Sequence, residues 1–241
     1  MKFTVITATY NNESSVAQTV KSVLEQSNTN IEHIIIDNCS NDKTLEIINK
    51  INSPFVKIFS EQDTGIYNAF NKGIAKSDGD IIAFLNSGDY YLSDTLNKVE
   101  DFFLENSNID CIHGNIVVGS KVYKPFDRLY TFKKSRIFHP ATFMRREIFD
   151  SLEKFNEKYE IASDLDLFIR AKKKFKFKYI DMPITSFELG GISTTNKFKT
   201  ILEVKKILKD NNFHLAYYNF IFYSEILKYT ISKILKSYKK K

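Results

Sequence analysis

The sequence predicts an α/β fold: a mainly parallel sheet flanked by helices, followed by an amphipathic helical tail. Three observations carry the prediction. Over the first 85 residues, short β-branched apolar runs alternate with segments of helical periodicity. Strand, helix, strand, helix, strand, helix, strand is the order of a doubly wound sheet with right-handed crossovers. Each run ends in polar residues, as strands do when their loops converge on one rim. The last run, Ile81 to Leu85, is five apolar residues long, reads as a strand buried on both faces, and stops abruptly at Asn86-Ser87-Gly88-Asp89.

Taken in order, Phe3 to Thr9 is the first strand and ends in Thr9-Tyr10-Asn11-Asn12. A helix is expected from about Glu13 to Gln26, because Val16, Val20, Val23 and Leu24 share one face. Ile31 to Ile36 is the second strand and ends in Asp37. Asp42 is the expected N-cap of the next helix, which carries Leu45, Ile48 and Ile51. Val56 to Ser60 is the third strand, closed by Glu61-Gln62-Asp63-Thr64-Gly65 before a helix over about Ile66 to Ala75. Parallel strands all point the same way, so Thr9, Asp37, Asp63 and Asp89 are expected to gather at one rim. No GxGxxG follows strand one and no P-loop is present, so a glycine-rich cradle for a diphosphate is missing. Asp89 offers hard oxygen ligands, and a divalent cation there would neutralise a diphosphate. Asn, Ser, Gly and Asp are also the common turn residues, so simple strand-to-turn punctuation remains a second reading of Asn86 to Asp89.

Beyond Ser93, an expected N-cap, Leu96, Val99, Phe102 and Phe103 mark another helix. From Asp110 two β-rich runs flank Gly119-Ser120, a hairpin signal. His139 to Met144 reads as a short strand, and Arg145 to Ser151 as a short helix. Asp164 falls in the first turn of a helix whose Leu165, Phe168 and Ile169 face the core; an N-cap role for Ser163 or Asp164 is the alternative to a functional one. Phe175 to Phe187 alternates like a half-exposed strand. Glu188 to Ser193, with two glycines, reads as a loop able to close over a ligand. Lys197 to Lys209 is an expected basic helix and Leu215 to Lys241 a longer amphipathic one. The apolar face of the latter suits either an anionic membrane surface or packing against protein, and its longest uncharged run is too short to span a bilayer.

Composition narrows the function. Two cysteines far apart support neither a disulfide framework nor a zinc knuckle, and fit a reducing, cytoplasmic compartment. The net charge of +6 hints at nucleic acid until it is divided. Residues 197–241 hold 11 Lys and 3 acids, a net +8, so the rest of the chain carries −2 and the nucleic-acid reading falls.

With these pieces placed, the chain resembles a family 2 glycosyltransferase of the GT-A fold, a Rossmann-like α/β architecture, of the type used for bacterial surface polysaccharides. The resemblance covers about residues 1 to 190. Its carriers are TVITATYNNESSVAQTVKSVLEQ, IIIDNCSNDKT, EQDTGIYNAFNKGIAKSDGDIIAFLNSGD, HPATFMRREIF and YEIASDLDLFIR. It implies a nucleotide-sugar-binding half over 1–109, an acceptor-binding and catalytic half of the same domain over 110–196, and a basic tail over 197–241 with a possible membrane role. The implied reaction moves a sugar, with inversion, from a nucleotide-diphosphate donor (a UDP-sugar favoured) to a hydroxyl of a lipid-linked glycan, on the inner face of the cell membrane. By this resemblance Thr9, Asp37 and Asp63 surround the base and ribose, and Asn11, Asn71, Asn86 and Ser87 add to nucleotide-sugar binding. Asp89 matches the aspartate that holds Mn²⁺ or Mg²⁺, and Asp164 matches the general base. His139, Asp166 and Arg170 fall in the acceptor or donor-sugar region. Asn86 and Gly88 stand where carboxylates are frequent, so Asp89 is expected to be the single protein carboxylate on the metal, with weaker affinity as the result. Ser163 stands where the family often has glutamate. Two rival readings are a non-catalytic sugar-nucleotide-binding subunit, against which Asp164 argues, and a sugar nucleotidyltransferase, which would want a glycine-rich signature and a basic residue near strand one.

Overall fold

The structure, a computed structural model, describes residues 1–241 except 27–29, 126–136, 191–194, 215–218, 221, 225, 228–229 and 231–241. The described residues build a mixed sheet. Its first half is β1 (Lys2–Thr9), β2 (Asn30–Asp37), β3 (Val56–Ser60) and β4 (Ile81–Phe84), all parallel, in the order β3-β2-β1-β4. Helices α1 (Val16–Leu24), α2 (Thr44–Ile51) and α3 (Ile66–Lys76) make the crossovers. Both faces of β1, β2 and β4 are buried, as their apolar runs require, while the edge strand β3 is half-exposed. Phe3, Val5, Ile81 and Ala83 join one core, while Ile6, Ile82 and Phe84 alternate with them into the other. Gly73 lets α3 lie directly on β1, because a Cβ there would collide with the Ile6 side chain.

The second half departs from a purely parallel plan. After β5 (Tyr90–Tyr91) and α4 (Thr95–Glu105) come the hairpin β6 (Cys111–Val118) and β7 (Lys121–Tyr123), then β8 (Thr142–Arg145), α5 (Arg146–Ser151), α6 (Ser163–Lys172), β9 (Phe177–Ser186) and α7 (Lys197–Asp210). The sheet continues β4-β8-β6-β9-β5, with β8 antiparallel to both of its neighbours. The segment expected as one strand from His139 is a 3₁₀ turn, His139–Ala141, leading into β8. Helix α1 starts at Val16 rather than Glu13. Residues 13 to 15 are drawn into loop contacts, Glu13 N–H donating to Asp42 Oδ2 at 3.1 Å and Ser15 N–H to Asn12 Oδ1 at 3.3 Å. Asp94, at φ 60°, and not Ser93, precedes α4. The long helix expected over 215–241 lies largely outside the described residues, and among those described no helix is long and apolar enough to cross a membrane.

Candidate active site

The strand ends do meet. Thr9 pairs with Asp37 across β1 and β2, and the Asn38 N–H donates to Thr9 O at 3.0 Å. From β3, Glu61 N–H donates to Asp37 O at 2.9 Å and Asp63 N–H to Asn38 Oδ1 at 2.8 Å. From β4, Ser87 N–H donates to Ala8 O at 3.3 Å. A shallow depression of about 330 Å³ opens among Tyr10, Asn38, Cys39, Gln62 and Asp63. Burial raises the Asp63 carboxyl above its ordinary range, with the Gly65 amide at 2.9 Å from Oδ1 pulling it back.

The predicted rim residues divide into two kinds. Some hold the loops. The fully buried Asp37 carboxylate accepts from Ser40 N–H at 3.0 Å, from the Ser60 hydroxyl at 2.6 Å and from the Ser40 hydroxyl. Asn11, at φ 45°, ties the first two loops through Asn41 N–H and Ser40 Oγ, both at 2.9 Å. Others present unused oxygens. Thr9 Oγ1, Asn86 Oδ1, Ser87 Oγ and Asp89 Oδ2 are buried and have no hydrogen-bond partner among the described residues. Buried polar atoms are rarely left so, because each lost hydrogen bond costs about 1–3 kcal/mol, and a ligand at this edge would repay it.

Asp89 is the most buried of these acids after Asp37, at 3 % exposure. Its Oδ1 accepts from Glu188 N–H at 2.9 Å, and its carbonyl and the Gly88 N–H both meet the Thr19 hydroxyl, at 2.8 and 2.9 Å. Burial pushes its carboxyl up to about 7. The Glu188 amide and the Asn86 side chain pull it down, and the Glu188 carboxylate adds to the rise. No three His, Cys, Asp or Glu side chains among the described residues cluster to hold a metal by themselves. Even so, an unpartnered carboxylate oxygen beside amide and hydroxyl oxygens is the hard donor set that Mg²⁺ or Mn²⁺ takes when phosphates and water complete its shell.

Asp164 is linked to α3 through Tyr67. Tyr67 lies in the first turn of α3, two residues after Gly65, and its hydroxyl donates to Ile161 O at 2.9 Å and approaches Asp164 Oδ1 at 3.3 Å. Asp164 sits in the first turn of α6, as expected, but neither it nor Ser163 caps the helix. Ala162 holds the cap position, and Ser163 Oγ donates instead to Asn156 O at 2.9 Å. The loop that leads into α6 is held by α7, which the charge pattern groups with the basic tail. Glu203, in the middle of α7, accepts from three successive amides: Glu160 N–H at 3.0 Å, Ile161 N–H at 2.8 Å and Ala162 N–H at 3.1 Å. Tyr159 OH donates to Asp210 Oδ2 at 2.7 Å, while Ile207 and Leu208 are buried in the main core. The only hint in the sequence is one acid placed in the middle of a run of lysines. Glu203→Ala, which strands three amides, is expected to lower folding stability by about 1–3 kcal/mol and to slow turnover as well. Denaturant unfolding checks it, with Glu203→Gln recovering part of the loss; a wild-type midpoint in the alanine variant would show that the loop is held some other way.

Four predicted residues are occupied elsewhere. Asn71 clamps α3 to the loop before α6, its amide donating to Phe155 O at 3.0 Å and Glu157 Oε1 at 2.7 Å and accepting from Phe155 N–H at 3.0 Å. Asp166 pairs with Arg170 at 2.8 Å and accepts from Asn211 Nδ2 at 2.8 Å, while Arg170 also binds the Lys154 carbonyl at 2.8 Å. His139 lies in an aromatic box, stacked on Phe84 with centroids 5.3 Å apart and tilted on Phe70 at 5.1 Å. Burial there lowers its imidazole to about 3, so it is neutral, and its Nε2 has no partner among the described residues.

Comparison with known proteins places this chain in a family. A family model described as glycosyl transferase family 2 matches residues 4–181. A PGL/p-HBAD biosynthesis glycosyltransferase of Mycobacterium tuberculosis is 29 % identical over 212 residues, 83 % of this chain and 82 % of the relative. An uncharacterized glycosyltransferase of Haemophilus influenzae is 32 % identical over 213 residues, 82 % of this chain and 84 % of the relative. Among solved structures, S. aureus TarS 1-349 in complex with UDP-GlcNAc superposes with a TM-score of 0.71 at 20 % identity, covering 94 % of this chain and 72 % of that one. The mannosyltransferase PcManGT from Pyrobaculum calidifontis, in complex with GDP-Man and Mn²⁺, gives 0.68 at 13 % identity over 92 % and 68 %. These likenesses establish the fold as GT-A.

Proposed function

Because the chain belongs to glycosyl transferase family 2, we propose that it moves a sugar, with inversion, from a nucleotide-diphosphate donor to a hydroxyl of a lipid-linked glycan acceptor. The observation that supports this reading best is the link from Asp164 to α3, the helix that follows the β3 loop. Asp63 binds the Gly65 amide, Gly65 opens α3, and the hydroxyl of Tyr67, two residues on, lies 3.3 Å from Asp164 Oδ1, so a carboxylate from the second half is tied to the helix that leaves the first half's third loop. In the reaction Asp164 takes the acceptor's hydroxyl proton while the new bond forms on the face opposite the departing diphosphate. The Tyr67 hydroxyl serves both states of this base, donating to the carboxylate and accepting from the carboxylic acid while its own proton goes to Ile161 O. A divalent cation held by Asp89, with Asn86 and Ser87 oxygens nearby, would stabilise negative charge on the leaving diphosphate. The depression beside Tyr10, Asn38 and Asp63 takes the nucleoside. A UDP-sugar is favoured, a choice supported by the UDP-GlcNAc bound in TarS 1-349.

The tail is assigned to an anionic membrane surface, on the inner face of the cell membrane, where a lipid-linked acceptor is presented. Phe220, Tyr223 and Leu227 are 58 %, 65 % and 61 % exposed in a segment rich in lysine, the pairing of apolar and basic faces that favours such a surface.

The reading is tested by thermal shift with UDP, GDP, dTDP, CDP and their sugars, each with Mn²⁺ and with chelator. One nucleotide should raise the melting temperature in the presence of metal, by mass action. A panel with no shift at all would remove donor binding from this assignment.

A further inference from the structure

Glu188 lies at the end of β9, 99 residues from Asp89, yet the fold brings the two together. β5 pairs with β9 at Tyr90↔Ser186, and Phe187 N–H donates to Val117 O at 2.8 Å, which fixes the direction in which the next residue leaves the sheet. The Glu188 N–H then donates to Asp89 Oδ1 at 2.9 Å, and its Oε2 lies 3.5 Å from Ser15 Oγ. Its carboxylate occupies the space a side chain at position 88 would fill: a Cβ built on Gly88 would collide with Glu188 Oε2. Gly88 also has φ +107°, a conformation that suits glycine, so position 88 is poorly suited to supplying a carboxylate of its own.

Two carboxylates thus come to the edge of β4, the buried one of Asp89 and the exposed one of Glu188 lying over Gly88. Among the described residues neither has a lysine, arginine or histidine partner. Asp89, only 3 % exposed, uses Oδ1 to accept the Glu188 N–H and keeps Oδ2 buried and unpartnered among the described residues. Like charges so placed repel unless a proton neutralises one of them or a cation binds both.

We infer that Glu188 is a second protein carboxylate of the divalent-cation site, supplying from β9 the ligand that Gly88 lacks, so that the cation joins the β9 loop to the β4 edge. This rests on the reading of Asp89 as the first such ligand. It also alters the expectation of a lone carboxylate with weak affinity, because each added carboxylate tightens a hard-cation site.

The test is Mn²⁺ binding by the full chain, followed by the electron paramagnetic resonance signal of free Mn²⁺, with the metal alone and with UDP added. Glu188→Gln is expected to weaken binding at least tenfold and Glu188→Asp to keep part of it, while Asp89→Asn weakens it further. Melting of Glu188→Gln in chelator at or above the wild-type temperature shows that its fold is intact. Wild-type Mn²⁺ affinity in Glu188→Gln, with affinity lost in Asp89→Asn, would overturn the role of Glu188 alone. Unchanged affinity in Asp89→Asn, or none in the wild type, would overturn the metal reading and this inference together.

Discussion

Asp164→Asn is expected to reduce turnover by about 10²–10⁴-fold while donor binding stays within about twofold, because the change removes the proton acceptor and keeps the side chain's shape. Asparagine has nearly the same shape, and its amide oxygen can still accept from Leu165 N–H, now at 2.9 Å, and from Tyr67 OH, now at 3.3 Å. The anchoring of the loop by Glu203 does not involve this side chain. Release of nucleoside diphosphate measures turnover, and titration with the donor measures binding. Turnover within a few-fold of the wild type would place the base elsewhere, and a parallel loss of binding would mean that Asp164 holds the donor instead.

Asp89→Asn should abolish the metal-dependent part of donor binding, and it should also change stability in a way that pH reveals. In the cation-free protein burial holds this carboxyl up to about 7, against an ordinary value of 3.8. Between those two pH values the folded state keeps a proton that the unfolded state has lost. The stabilising share is therefore fully present below about 3.8 and lost as pH rises towards 7, a cost on the order of a few kcal/mol at neutral pH. His33 and His139, both lowered to about 3 by burial, act with the opposite sign, weakening the fold as pH falls below 6.5. The wild-type and Asp89→Asn curves share the histidine contribution, so their difference isolates Asp89. In chelator that difference should grow in favour of the variant from pH 4 to pH 7, while with Mn²⁺ and donor only the wild type gains. A flat difference would mean that the native protein solvates this carboxylate.

The first half of the fold was legible because its strands are short apolar runs closed by polar residues, buried on both faces in β1, β2 and β4. Val56–Ser60 was placed to the residue, and the β4 run was extended by only one, since contiguous apolar runs and the 3.6-residue stripe of α1 are local signals. Strand direction is not a local signal. Nothing in TFMR says that it will run antiparallel between β4 and β6, and Tyr90-Tyr91 is too short to have a period. The site divides in the same way. Asp89 and Asp164 stood out because each follows or opens a recognisable element, whereas the sequence gives an acid that serves a loop, such as Asp37, the same appearance as one kept for a ligand. Tyr67, Glu188 and Glu203 act on residues about one hundred, ninety-nine and forty positions away, which only the folded topology brings near.

The docking of α7 decides where this chain can be shortened. The charge map suggests a seam at residue 196, but a cut there would take Ile207 and Leu208 out of the core and leave the amides of residues 160–162 without their acceptor. A fragment for crystallisation therefore ends no earlier than Phe213, which still packs against that core, and gives up only the lysine-rich end beyond it.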